Sequence, residues 1–99
     1  MKQIKELADY IENELEEACE YAKLALAYRG TDEDLAELYA DMSKTALEKI
    51  GAMHTQVTKI IREHKNEAPP EMLAIWDYLH KKQIEQETEV RRLQDMYRR

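Results

Sequence analysis

The side chains that could do chemistry in this chain are a few carboxylates and histidines at helical spacing. Glu14 and Glu17 are three residues apart, and His80 follows Asp77 at the same interval. Residues three or four apart share one face of a helix, so each pair could present two ligands together. Carboxylate and imidazole groups suit zinc, iron or manganese, although scattered histidines usually serve as hydrogen-bonding or solvent-facing residues. The candidate metal ligands are Glu14, Glu17, His54 and His80.

Lys49 is the most unusual of the charged residues, because it interrupts an apolar helical face three residues after Ala46. A charge on such a face must be paired, reach water or occupy a functional pocket. Two alternatives remain open: an ionic contact with Glu14 or Glu17, or an ammonium group that extends past Met53 into solvent. The face consists of Leu35, Leu38, Tyr39, Met42, Ala46, Lys49, Ile50, Met53, Val57 and Ile60.

Nucleophilic chemistry has little support. Ser43 is the only serine and has no base at a telling spacing, and Cys19 lies in an acidic segment. Gly30 and Gly51 are isolated, so there is no glycine-rich phosphate loop. A single cysteine excludes an internal disulfide and suits a reducing compartment, so we expect a cytoplasmic protein. The residues favour a non-enzymatic role.

The composition predicts long helices in one domain, 1–99. Of the 99 residues, 36% are charged and 43% hydrophobic, with two glycines, two prolines and no phenylalanine. This mixture is typical of amphipathic helices and disfavours a sheet. The core of so short a chain is small, so we expect a homo-oligomer. No stretch approaches the roughly 20 apolar residues that span a bilayer.

The net charge of −6 limits the partners that the chain could have. An acidic surface repels phosphate, so we expect no nucleic-acid partner. The acidic stretches 12–20 and 32–37 are compatible with cations or with a basic protein surface. We therefore expect that any protein partner presents a basic surface.

Three helices, at about 2–29, 32–65 and 69–97, must position these side chains. Gly30 ends the first, and residues 31–34 resemble an N-cap with acids in the first turn of the second, so the two form an antiparallel hairpin. The segment 66–70 ends the second helix, and its prolines start the third. The predicted core stripes are Ile4, Leu7, Ala8, Ile11, Leu15, Ala18, Ala22, Ala25 and Leu26 in the first helix, and Met72, Ile75, Trp76, Leu79, Val90, Leu93 and Tyr97 in the third.

The first helix has a second ridge, offset by about 90° from its main stripe. The ridge consists of Tyr10, Glu14, Glu17, Tyr21, Leu24 and Tyr28. A helix with two contact faces has more than one neighbour, which a third helix or a hairpin from another copy could supply. The predicted interface residues are Tyr10, Tyr21, Tyr28 and Trp76.

Four stretches of the chain together resemble a known family. They are residues 11–14 leading to Tyr21-Ala-Lys, residues 53–57 followed by two isoleucines, residues 72–77, and residues 93–97. The chain resembles the small ferritin-like, rubrerythrin-related proteins of phages and prophages. The resemblance implies a bundle of helical hairpins completed by oligomerisation. It also implies two metal ions held by carboxylates and Glu-x-x-His pairs, which half-size members build across a dimer.

The chain departs from that family where the second helix should supply Glu-x-x-His. The resemblance places this pair at Ala46 and Lys49. Alanine has no ligand oxygen, and a protonated lysine has only donors and adds charge that opposes metal binding. The resemblance therefore implies a degenerate metal position, with Lys49 neutralising Glu14 or Glu17.

The function expected from these observations is that of a non-enzymatic, phage-derived helical interaction protein without a cofactor. The resemblance suggests interference with a host process as its role. The first alternative is a ferritin-like protein that binds iron or another divalent metal through rearranged ligands, and ferroxidase-type oxidation is its enzymatic form. The second alternative is an oligomeric scaffold component.

Overall fold

A computed structural model describes residues 2–64 and 69–99 as three α-helices. They are α1 (Lys2–Tyr28), α2 (Glu33–Glu63) and α3 (Pro70–Arg98), and the described residues contain no strand. The all-α fold of three long helices predicted from the sequence is confirmed. Each helix end that can be compared lies within one residue of the predicted position. The predicted end of the second helix at Lys65 and the linker residues 66–68 lie outside the described ranges.

Local chemistry explains the turn between α1 and α2. Gly30 has a φ of +93°, in the left-handed region where a glycine pays no steric cost. The side chain of Asp32 accepts a hydrogen bond from the Leu35 amide at 3.1 Å, and a Glu33 carboxylate oxygen accepts one from the Gly30 amide. These caps satisfy amides that a helix end leaves unpaired, so the chain reverses within four residues.

The third helix runs parallel to α1. Pro70 occupies its first turn, where the missing amide hydrogen costs nothing. At the opposite end, Arg29 donates hydrogen bonds of 2.8 Å to the carbonyl oxygens of Met96 and Tyr97, which caps α3. The three helices therefore run up, down and up in a rod of 54 × 17 × 17 Å.

The first helix is the centre of the bundle. It packs along both α2 and α3, which contact each other much less extensively. The predicted main stripe of α1 is confirmed, because seven of its nine members are buried and Leu7 and Leu26 are partly buried. The predicted second ridge is not the face that meets α3: its residues lie at the α2 side and are half-buried or exposed, whereas α3 packs on the other side of the main stripe, beside Cys19.

The buried face of α2 is centred differently from the prediction. Its fully buried positions recur every seven residues at Ala36, Ser43, Ile50 and Val57, each 0% exposed. The predicted stripe contains Ile50 and Val57 but omits Ala36, Ser43 and Leu47, which are also buried. The expectation that Lys49 lies within the apolar face is wrong: it lies at the edge, and its side chain is 61% exposed.

A hydrogen-bonded serine joins all three helices. The Ser43 hydroxyl donates to the Ala18 carbonyl oxygen of α1 at 2.7 Å and accepts from the Gln94 amide of α3 at 2.8 Å. Small side chains at these positions let the backbones approach closely. Within the described ranges, no buried side-chain nitrogen or oxygen lacks a hydrogen-bond partner.

Candidate functional site

The four predicted metal ligands fall into two separate places. Glu14 and Glu17 line a cleft between α1 and α2, whereas His54 contacts His80 at the junction of α2 and α3. The part of the chain that the structure describes contains no group of three or more histidine, cysteine, aspartate or glutamate residues arranged to hold a metal ion. The predicted ligands therefore do not converge on one point.

The first place, here called the acidic cleft, has a volume of about 230 Å³. Its carboxylates come from Glu14 and Glu17 of α1 and Asp41 of α2, and Lys49 supplies its single ammonium group. The remaining walls are formed by Tyr21, Met42, Thr45 and Ala46. The cleft combines an excess of negative charge with an aromatic and a flexible apolar wall.

The contact between Lys49 and Glu14 spans the acidic cleft. Lys49 Nζ lies 3.9 Å from Glu14 Oε1, and the two side chains are 61% and 23% exposed. Both alternatives for Lys49 are thus realised, since the ammonium group approaches a carboxylate and also reaches water. An exposed pair at this distance is a weak one.

The residues at this position do not fit the di-metal centre that the family resemblance implies. Ala46 is buried beside the cleft and offers no ligand atom, and the Lys49 ammonium occupies the space near Glu14. A cation there opposes the binding of a second cation, and lysine offers no lone pair while protonated. The acidic cleft is therefore suited to a charged organic group, and it lacks the ligands that two metal ions need.

A stack of tyrosines lines the α1–α2 surface toward the hairpin turn. The Tyr39 ring lies between Tyr21 and Tyr28, with ring centroids 6.2 and 6.0 Å away and planes within 20° of parallel. Two of the predicted interface tyrosines thus pack against α2 of their own chain. Tyr10, at the other end of the ridge, is 62% exposed.

The second place is a histidine cluster, formed by His54, Trp76, His80, Gln83 and Glu87. His54 Nε2 lies 3.0 Å from Gln83 Oε1, and its Nδ1 lies 3.4 Å from Glu87 Oε1. The His80 ring meets His54 edge to face at 4.9 Å and stacks on Trp76 at 5.2 Å. Trp76, predicted as an interface residue, is buried in this cluster and in the α1–α3 core.

The electrostatics of the histidine cluster favour a neutral His80. Burial lowers the pKa of His80, and the neighbouring His54 lowers it further, while Glu87 and Asp77 act in the opposite direction. Asp77 itself is bound to Lys81 at 3.2 Å. Asp77 and His80, predicted as a ligand pair, therefore have different partners: Asp77 pairs with Lys81 at the surface, and His80 packs in the histidine cluster.

Sequence reasoning did not identify the roles of Gln83, Glu87 and Gln94. Gln83 and Glu87 lie between Leu79 and Val90, where the third helix has few apolar residues, and Gln83 is seven residues from both Trp76 and Val90. A glutamine at a position that repeats with buried residues indicates a polar contact inside the bundle. That spacing was the available signal, and it does not name the partner helix.

No protein-family model matches the chain, and neither does any curated protein or solved structure. Among the described residues, none of the helices has the length and apolar character that crossing a bilayer requires.

Proposed function

We propose that the chain is a non-enzymatic interaction protein of ferritin-like, phage-derived ancestry whose di-metal centre has been lost. Its acidic cleft binds a basic side chain of a protein partner. The observation that carries this proposal is the Lys49–Glu14 contact, a weak ion pair at the position where the family resemblance implies a metal site. The ancestry comes from the sequence resemblance alone.

The charge and exposure of the cleft support a basic occupant. Three carboxylates face one ammonium group, and that group is mostly solvated. An arginine from a partner could take the place of Lys49 at Glu14, because a guanidinium binds a carboxylate through two parallel hydrogen bonds. The net charge of −6 would also speed the approach of a basic surface.

The walls of the cleft support a side chain with an apolar stem. Tyr21 presents an aromatic ring and Met42 a flexible thioether beside the carboxylates. Arginine and lysine place their methylene groups against such surfaces while the charged end reaches an acid. Asp41 and Glu17 would remain available for further contacts with the same partner.

Binding of a labelled oligoarginine peptide, followed by fluorescence anisotropy, tests this role. We expect Lys49→Met to tighten binding about fivefold, because the competing cation is removed, and Glu14→Gln to weaken it by a similar factor. Glu48→Gln is the matched control, since Glu48 is exposed on α2 outside the cleft and the change in net charge is the same. Equal weakening by Glu14→Gln and Glu48→Gln would mean non-specific attraction and would contradict the proposal.

Elemental analysis separates this function from the metal-binding alternative. Protein purified from iron-replete cells should contain far less than one iron per chain, because Ala46 and Lys49 supply no ligands. Stoichiometric iron that is lost in Glu14→Ala would instead establish a ferritin-like metal protein.

A further inference from the structure

We propose that a second copy of this chain docks in a groove between the first halves of α1 and α3, related by a twofold axis. This groove, here called the N-terminal groove, has a volume of about 310 Å³ and lies on a different side of α1 from the acidic cleft. The proposal concerns self-association and goes beyond the proposed function. The groove is lined by Ile4, Lys5, Ala8, Asp9, Met72, Ile75, Trp76 and Leu79.

The groove leaves apolar side chains of α3 open to solvent. Six of its eight lining residues are apolar, and Ile75 at its rim is 55% exposed. Tyr78, which is adjacent to this part of α3 and 68% exposed, extends the apolar surface beyond the groove. Removing such side chains from water stabilises an interface by about 25 cal/mol per Å² of apolar area.

The charges around the groove select a second copy as the occupant. Residues 2–11 of α1 and 70–82 of α3 contain four lysines and four carboxylates, so the two helix segments that form the groove carry no net charge. The whole chain has a charge of −6, which opposes contact between copies elsewhere on the surface. A strongly basic or acidic partner would gain nothing here, whereas a copy of the same surface meets no net repulsion.

Lys5 and Asp9 make this surface self-complementary. The neighbouring charges pair within their own helices, as Lys2 with Glu6 at 3.9 Å and Asp77 with Lys81 at 3.2 Å. Within the described ranges, neither Lys5 nor Asp9 forms an ion pair, and both line the groove. When α1 meets α1 of a second copy in an antiparallel arrangement, each Lys5 faces Asp9 of the other copy.

Sedimentation velocity across a range of protein concentrations measures the dimer directly. The wild-type chain should show a concentration-dependent monomer–dimer equilibrium. Ile75→Glu should weaken dimerisation about tenfold or more, because it places a charge in the apolar contact. Leu38→Glu is the matched control: Leu38 is similarly exposed, at 53%, but lies on α2 away from the groove, so the dimer should persist.

A charge-exchange experiment tests the pairing itself. Lys5→Asp and Asp9→Lys should each weaken dimerisation, because each places like charges opposite one another across the twofold axis. Mixing these two variants should restore a dimer, since every cross-pair is then complementary. Effects within one helix cannot produce this result, and circular dichroism of each variant checks that it is folded.

Several results would contradict the proposed dimer. A wild-type chain that stays monomeric at every concentration would overturn the proposal. So would a dimer that Ile75→Glu and Leu38→Glu affect equally, or two folded variants that do not associate on mixing. Oligoarginine binding at the acidic cleft is measured separately, so failure of this inference and failure of the proposed function are distinguishable.

Discussion

The two glycines illustrate how position on the backbone decides the role of a residue. Gly51 lies in the exposed face of α2, and an added Cβ would meet nothing within 4 Å. Gly30 also has open space around it, but its φ of +93° suits only a residue without a side chain. No neighbouring helix among the described residues therefore approaches Gly51 closely.

Gly51→Ala should therefore stabilise the protein by about 1 kcal/mol, because alanine loses less backbone entropy on entering a helix. For a domain of this size the melting temperature should rise by about 4–8 °C. Gly30→Ala is the contrasting variant and should lower the melting temperature, since its backbone conformation strains any residue with a Cβ. Thermal unfolding followed by circular dichroism measures both changes, and a loss of stability in Gly51→Ala would show a contact that the structure lacks.

The Ser43 hydroxyl forms hydrogen bonds to both of the other helices. Ser43→Ala should destabilise the fold by about 1–2 kcal/mol, because the Gln94 amide loses its partner in the interior. Urea unfolding of Ser43→Ala, Gln94→Ala and the double variant forms a mutant cycle. We expect a coupling of about 0.5–1 kcal/mol, and strictly additive effects would mean that the two side chains do not interact.

At the scale of the helices, the histidine cluster makes the α2–α3 contact sensitive to pH. The pKa of His80 is lower in the folded chain than in the unfolded chain, because burial disfavours the imidazolium. Between the folded and unfolded pKa values the unfolded chain binds more protons. The part of the folding free energy that depends on His80 is thus fully present above about pH 6.5, and it is lost as the pH falls through the folded pKa of His80.

His80→Phe should remove this part of the pH dependence while keeping a ring against Trp76. The residues that face His80 are His54 from α2, together with Glu87 and Asp77 from α3, so these remain unchanged in the variant. Urea midpoints at pH 7.5 and pH 5.5 should converge in His80→Phe relative to the wild-type chain. An unchanged difference between the two midpoints would assign the effect to other groups.

The sequence predicted the ends of the helices better than it predicted which side of α2 is buried. Gly30, Asp32 and Pro70 act on the backbone next to them, so their effects can be recognised locally. The centre of the buried face of α2 depends on where both α1 and α3 lie. The prediction of one apolar stripe assumed that α2 has a single neighbouring helix. That assumption placed Lys49 inside the face when it is at the edge.

The candidate sites depend even more on the relative positions of the helices. A contact of Lys49 with Glu14 or Glu17 was one of two predicted alternatives, and it came from the family resemblance. Both helices involved belong to the hairpin, whose short turn limits its register. His54 and Gln83 belong to α2 and α3, and no local pattern sets the alignment between them. Grouping Glu14 with His54 as ligands combined residues from different surfaces of the bundle.

The whole molecule is acidic, and its ion pairs do little to offset the repulsion between its carboxylates. The pairs Lys2–Glu6, Asp77–Lys81 and Arg92–Glu89 are formed by exposed side chains, so each contributes little to stability. The net charge of −6 is spread along a narrow rod, where carboxylates repel one another over about the Debye length. Repulsion should therefore outweigh these pairs at low ionic strength.

Sodium chloride should consequently raise the melting temperature at pH 7 by a few degrees between about 10 and 150 mM, because it screens the repulsion. The increase should shrink near pH 5.1, the isoelectric point, where little net charge remains to be screened. Protein concentration must be constant, since a dimer would itself change the melting temperature.

Because the helix segments that form the N-terminal groove carry no net charge, dimerisation should depend on salt much less than oligoarginine binding at the acidic cleft does. Equal salt dependence of the two would place the dimer contact on an acidic surface instead.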